Sequence, residues 1–418
     1  MNGSRRISRR SFLAGSAAAA SPLLFPVPAA AQARAPELHF RHHSISLDLP
    51  VSPEGTGDYG LTALVDIDRD GDLDFVLGGR FTRPSQLYWF EFQAPDRWVK
   101  HLVGSDYQSD VGLAALDVDG DGWMDLVASG VWYRNTGKPR TEPFERIVFA
   151  PNASGAHDIL AADIDGDGRK EIVMMGDSRT QLNALCWFKI PPDPRQPWER
   201  HMIGPPIHGA ITPAGVADID GDGDLDVVCG DTWYENRDGK GLEWVAHPNI
   251  PFGRVGPFGK CVRTAIVDID GDGKKEIVMA DADISDSHVA ILRNLDGKGG
   301  MWSKELLPQS FKYGSLHSLA VADLNGDGRP DIVVNEQEEL LPDGRENPRW
   351  IAWINEGNGK FTEQILLDQK LGGHELQVGD VDGDGDIDIC SKPWGVKPWN
   401  AAGGKMHVDF LENLLRSK

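Results

Sequence analysis

The 418-residue chain has few cysteines, no basic stripe and, past its first thirty or so residues, no long apolar run. Cys186, Cys229, Cys261 and Cys390 lie far apart, mostly within apolar, strand-like stretches. Buried free thiols are the expected state, with a Cys229–Cys261 bridge as the alternative in an oxidising compartment. With 64 acidic against 42 basic residues the net charge is −22. No cluster of Lys and Arg stands ready to neutralise phosphates, which argues against nucleic acid as a partner. Nucleophile elbow, phosphate loop and dinucleotide fingerprint are all missing, so serine hydrolysis, phosphoryl transfer and nicotinamide chemistry find no support.

What the chain does have is acid at a fixed spacing. The pattern D-x-D-x-D-G-x-x-D/E occurs seven times. Its ligand positions are Asp66, Asp68, Asp70 and Asp74, then Asp117, Asp119, Asp121 and Asp125, then Asp163, Asp165, Asp167 and Glu171. Asp218, Asp220, Asp222 and Asp226 follow, then Asp268, Asp270, Asp272 and Glu276, then Asp323, Asn325, Asp327 and Asp331, and last Asp380, Asp382, Asp384 and Asp388. Side-chain oxygens at the first, third, fifth and ninth positions, with the seventh carbonyl and a Gly that permits the sharp turn, suit Ca²⁺. The flanks, such as LTALV and FVLGG, are short and β-branched, which favours a strand–loop–strand unit over the two helices of an EF-hand. The loops hold 30 of the 64 acidic residues, so the acidity is mostly a metal-binding signature. Asn325 gives the sixth loop the lowest ligand charge and predicts the weakest site there.

Residues 1–33 read as an address. Ser8-Arg9-Arg10-Ser11-Phe12-Leu13 precedes an Ala-rich stretch ending in Ala31-Gln32-Ala33, which resembles a twin-arginine export signal, although Ala14 stands where such signals often carry Lys. Pro22, Pro26 and Pro28 interrupt a run already short for a membrane span. The implied home is the periplasm or beyond, as a secreted protein with no membrane span after cleavage.

Residues 34–418 give roughly 55 residues per repeat, the length of a four-stranded propeller blade. Each unit reads as strand A, calcium loop, strand B, an aromatic strand C such as VWYRN or TWYEN, and a strand D such as PWERHMIG. Seven C strands but six D strands are present, and Glu37 to Leu47 has the missing D pattern. The expected fold is an all-β, seven-bladed β-propeller of four-stranded blades, closed by its N-terminal strand and present as a monomer. The chain thus resembles the VCBS/FG-GAP repeat family of calcium-loop propellers in secreted and cell-surface proteins, in its VCBS-like branch. That resemblance implies either an adhesion-type module or an enzyme similar to propeller polysaccharide lyases and the propeller part of aldos-2-ulose dehydratases.

In such a blade the calcium loops occupy one face, and a channel-mouth site belongs on the other. Six residues before the first loop Asp stand His157, His317 and His374 in repeats three, six and seven, with Tyr59, Asp110, His208 and Arg263 at neighbouring positions elsewhere. Long B–C loops in the last three repeats add Asp281, Asp283, His288, Glu336, Lys392, Trp394 and Trp399 to that face. Any single His could simply cap its blade; three in register point to a ligand or acid/base cluster. The leading expectation is a carbohydrate-active lyase or dehydratase that removes a proton α to a carbonyl or carboxylate and expels the β-oxygen. One of the three histidines would be the base, Arg263, Lys392 or a divalent cation the enolate stabiliser, and Tyr59 the proton donor. In a metal variant the histidines hold Zn²⁺ or another ion, with Glu336 or Asp110 as the acid/base partner. Asp110, His208, Glu336, Trp394 and Trp399 are the expected substrate contacts. The alternative is a non-catalytic module binding a glycan or protein. His42, His43, His101, His201 and His247, on D strands, read as plain surface residues.

Overall fold

The computed structural model describes residues 37–52, 57–80, 85–107 and 109–416. The expected signal segment, 1–33, lies outside these residues. Seven antiparallel sheets, one per repeat, make up the described chain. In the first blade, Tyr59–Val65, Asp74–Gly79, Gln86–Ala94 and Arg97–Ser105 pair in sequence order from the channel outward. The last blade takes His374–Gly379, Asp388–Lys392 and Val408–Asn413, and Phe40–Ser46 pairs antiparallel with Val408–Asn413 to complete it. The fold is an all-β seven-bladed propeller closed by its N-terminal strand.

Sequence pattern explains the layers. Second strands such as Asp125–Ala128 and Glu171–Met175 are buried along their whole length, as continuous apolar runs must be. Outer strands are mostly exposed or half-buried, as in Arg97–Ser105, where Val103 alone is buried. The apolar side chains form layers between adjacent blades rather than one central core. One layer packs Trp89 and Val76 of the first blade on Leu126 and Tyr133 of the second, and another packs Phe75 and Phe90 on Phe410 and Val408 across the closure.

A repeated hydrogen bond from an Asn side-chain amide fastens five of the blades to the blade before. Asn135, Asn236, Asn294, Asn355 and Asn413, at the ends of third strands, each donate Nδ2–H at 2.9 Å to a main-chain carbonyl inside an acidic turn of another blade: Ile67, Ile164, Ile219, Ile269 and Leu324. Leaving such a buried carbonyl unpaired costs about 1–3 kcal/mol. All four cysteines are buried free thiols, so the Cys229–Cys261 bridge is absent.

The D-strand histidines correct the expectation of bland surface residues. His101, His201 and His247 stand directly opposite Trp89, Trp187 and Trp233 in the strand pairing and stack on them at 4.3 Å. His43 is buried between Glu412 and Asp96.

Blade four departs from the rule. Its inner strand is split, with Pro213–Ala214 running parallel to Val262–Val267 of blade five while Val216–Ala217 stays with its own sheet. Gly215 sits at the break, where a Cβ would meet Ile211 O at 2.5 Å. The segment before this break carries His208. No helix among the described residues is long and apolar enough to cross a membrane.

Candidate functional site

All seven acidic turns connect first to second strands, so antiparallel pairing puts them at one end of the blades. The ninth-position carboxylate anchors each turn. Asp74 Oδ2 accepts the N–H of Ile67 at 2.9 Å, Asp388 Oδ2 that of Val381 at 3.0 Å, and Asp125, Glu171, Asp226, Glu276 and Asp331 do the same. Burial, together with the other carboxylates of the loop, pushes Asp74 and Asp388 up to about 8 and Asp226 and Asp331 to about 7. A cation among these oxygens would relieve that crowding. Potential chelating sets such as Asp66, Asp68 and Asp70, or Asp117, Asp119 and Asp125, have donor atoms within 4.8 Å of one another.

The opposite end gathers the histidines. The rings of His157 and His317 lie 5.6 Å apart, His157 and His208 4.4 Å, and His317 stacks on His374 at 3.9 Å, which in turn stacks on Trp394 at 4.5 Å. His157, His317 and His374 are almost fully buried. Blade starts and a bulge bring them together: the pairing of His374–Gly379 shifts register between His374 and Gln377, and Glu375 there adopts φ 62°. Asp283, in the loop after the second strand of blade five, has φ 56° and is fixed by its N–H donating to Ser315 Oγ at 2.9 Å. Left-handed backbone at two non-glycine residues of one cluster is a local cost that recurs at functional sites.

Carboxylates hydrogen-bond two of the rings at Nδ1, and a third carboxylate stands close to the Nδ1 of another without a hydrogen bond. Asp158 Oδ1 lies 2.7 Å from Nδ1 of His157, Asp177 Oδ2 2.9 Å from that of His208, and Glu375 Oε1 3.3 Å from that of His317. Asp158 Oδ2 also accepts the N–H groups of Ala210, Ile211 and Thr212, which pins the segment bearing His208. Arg263 crosses the channel, donating to Glu375 at 2.6 Å and standing 3.5 Å from Asp158. Asp283 Oδ2 is buried without a hydrogen bond, 3.6 Å from Nε2 of His208 and 3.8 Å from Nε2 of His317. These separations are within the ~4.2 Å that two donors sharing an ion at ~2.1 Å allow. Two potential chelating sets adjoin here, His208 with Cys261 and Asp283, and His317 with His374 and Glu375.

Protonation fits neutral ligands. Burial holds His208 down to about 4 and His374 well below the usual imidazole range. Burial opposes a charge on His157 too, but the hydrogen bond it donates to Asp158 and the charge of that carboxylate outweigh it and raise the imidazole. Burial lowers Lys392 to about 7; its Nζ donates to Tyr59 O at 2.6 Å and lies 3.1 Å from His374 Nδ1.

Several expected residues take other work. The Tyr59 hydroxyl is spent on Pro50 O at 2.9 Å, and burial raises it far above the ordinary phenol, so it is no proton donor to the cluster. Glu336 accepts from the N–H groups of Gly314 and Arg349 and pairs with Arg345, which makes it a loop anchor. Asp110 pairs with Arg80, whose guanidinium lies over Trp394. Trp399 is half-buried, and no contact joins it to the cluster among the described residues. Asp177 and Glu375 were missed because only the folded chain brings them behind His208 and His317, whereas Asp158 directly follows His157 in the sequence and could have been read there. A cavity of about 300 Å³ lies in the channel on the acidic-turn side, bounded by His157, Arg263 and Glu375. The Asp283 and His208 side chains do not line it and keep 13% and 11% exposure.

The FG-GAP-like repeat profile matches residues 66–128, 218–279, 268–334 and 340–391, more than half of the chain. The chain belongs to the FG-GAP-like repeat family. Among curated proteins, integrin alpha-PS3 of Drosophila melanogaster is 32% identical over 79 residues, 18% of this chain and 7% of that protein. Aldos-2-ulose dehydratase of Phanerodontia chrysosporium is 24% identical over 261 residues, 56% of this chain and 28% of that protein. The aligned stretches thus span under a third of either relative. The crystal structure of the V. cholerae biofilm matrix protein Bap1 matches with a TM-score of 0.47 and 12% identity, over 90% of this chain and 91% of that chain.

Proposed function

We propose that this FG-GAP-like propeller is an exported, monomeric, glycan-binding protein. It holds one divalent transition metal at its channel mouth between Asp283, His208 and His317, and structural Ca²⁺ in its acidic turns. The observation that carries the reading is the buried, unpaired Asp283 oxygen between the Nε2 atoms of His208, whose ring Asp177 holds from behind, and His317, whose Nδ1 lies 3.3 Å from Glu375. A carboxylate behind a histidine is the usual support of a metal ligand. Two nitrogens and one oxygen suit Zn²⁺ or a similar ion and leave positions open for hydroxyl or keto oxygens. Exposed Phe258, 4.9 Å from the His208 ring with Arg179 over its face, supplies an apolar platform for a sugar ring.

Turnover is the second reading, favoured by the likeness to the dehydratase over 56% of this chain. In it, neutral His374 removes the proton α to a carbonyl, and His157, which keeps its proton, protonates the departing β-oxygen. Metal analysis of the purified protein tests the binding reading: one transition metal per chain, lost with glycan binding in Asp283→Asn, is expected. No such metal, with binding unchanged in Asp283→Asn, would discard it. Ultraviolet absorbance of an unsaturated product from uronate polysaccharides or keto-sugars separates turnover from binding.

A further inference from the structure

The seven acidic turns share a ligand pattern but not a neighbour. Near the end of each third strand one equivalent position carries a charged side chain in six blades and Ile354 in blade six. In blades one, four and seven it is Glu91, Glu235 or Glu412, each within 2.8–2.9 Å of a histidine of the outer strand. In blade three it is Lys189. Its Nζ lies 2.5 Å from Asp165 Oδ2, 2.6 Å from Asp167 Oδ2 and 3.1 Å from Glu171 Oε1, the third, fifth and ninth positions at once. Arg134 and Arg293, at the same place in blades two and five, reach only Asp119 and Asp121, or Asp270.

The ninth residue makes this geometry possible. In the turns ending in Asp125, Asp226, Asp331 and Asp388, the second carboxylate oxygen accepts a main-chain N–H from the end of the third strand, at 2.7–2.9 Å. Glu171 is one methylene longer. Its Oε2 still caps Ile164 N at 3.0 Å, and its Oε1 turns to the ammonium. Three oxygens that would face a cation face a covalently tethered one instead.

We infer that the turn of blade three is neutralised by the Lys189 ammonium in place of Ca²⁺, so that the propeller takes up calcium in six turns at most. This rests on the calcium reading of the other turns. An internal ammonium supplies one charge at no cost in free calcium, and it holds whatever the external concentration. A divalent ion entering the same oxygens would have to displace it against three charge-assisted hydrogen bonds.

The test is calcium stoichiometry by equilibrium dialysis on the full chain, for wild type, Lys189→Met, Asp165→Ala and Asp382→Ala. The inference expects one additional ion in Lys189→Met, no loss in Asp165→Ala and loss of one in Asp382→Ala. Unchanged stoichiometry in a folded Lys189→Met, or loss of one ion in Asp165→Ala, overturns it. Should Lys189→Met fail to fold, the Asp165→Ala and Asp382→Ala pair still decides. A wild type that binds no calcium at all refutes the reading of the turns themselves, a separate outcome.

Discussion

At one end of this propeller a nine-residue turn recurs seven times, while at the other no two blades contribute the same set of side chains. The turns repeat because each does the same local job: a ninth carboxylate caps the main chain beneath a rim of further acidic side chains. The mouth does not repeat because its histidines converge on one point near the axis, where a single cluster fits. Blade three gives His157 and Asp158, blade five Arg263 and Asp283, blade seven His374 and Glu375. On the proposed function, symmetry of the scaffold serves stability and departure from it serves ligand chemistry.

The comparison can be broken most forcefully by stripping the turns. A ligand bound only by the folded state adds about 2.7 kcal/mol at a hundredfold excess over its Kd. Removing calcium from several turns therefore approaches the whole 5–15 kcal/mol of an ordinary domain. Calorimetry with a calcium-selective chelator should show a large drop in Tm; an unchanged Tm would mean the rim is ornamental.

Next in size is the Asn latch. Asn355→Ala leaves Ile269 O unpaired and should cost about 1–3 kcal/mol in denaturant unfolding, with glycan affinity unaltered. Loss of affinity with no loss of stability would show that the two ends are not separable. Asp177→Asn acts at the mouth instead. Weakening the support of His208 should reduce transition-metal affinity roughly 10–100-fold and spare calcium stoichiometry.

The smallest effect belongs to the buried His407–Asp409 pair beside the closing strand. Asp409 keeps His407 protonated against burial, and His407 in turn lowers Asp409 against the same burial. The sign differs for the two partners: the contribution of His407 is lost as pH rises through its folded value, and that of Asp409 as pH falls through its own. Urea midpoints of His407→Gln against wild type should converge at both extremes and differ most between them; a constant offset would contradict this.

The fold was legible because its signals are local and repeated. D-x-D-x-D-G, with Asn325 at the third position of the sixth copy, marks every first turn, and a surplus third strand at the C-terminus called for a partner at residues 37–47, which Phe40–Ser46 supplies. The site was legible only in part. Counting back from the turns found His157, His317 and His374, because strand register carries from blade to blade. The carboxylates behind the rings were hidden, since Asp177 and Glu375 acquire meaning only from a bulge and from the split strand of blade four. Tyr59 and Glu336 misled for the opposite reason, as reactive side chains that the fold assigns to capping its own backbone.

The most direct measurement is a parallel count of calcium and transition metal in wild type and Asp283→Asn. Several calcium ions in both, with one transition metal per chain in the wild type alone, is the predicted result. Equal transition-metal content in the two proteins, or its absence from both, would contradict the division of labour between the two ends.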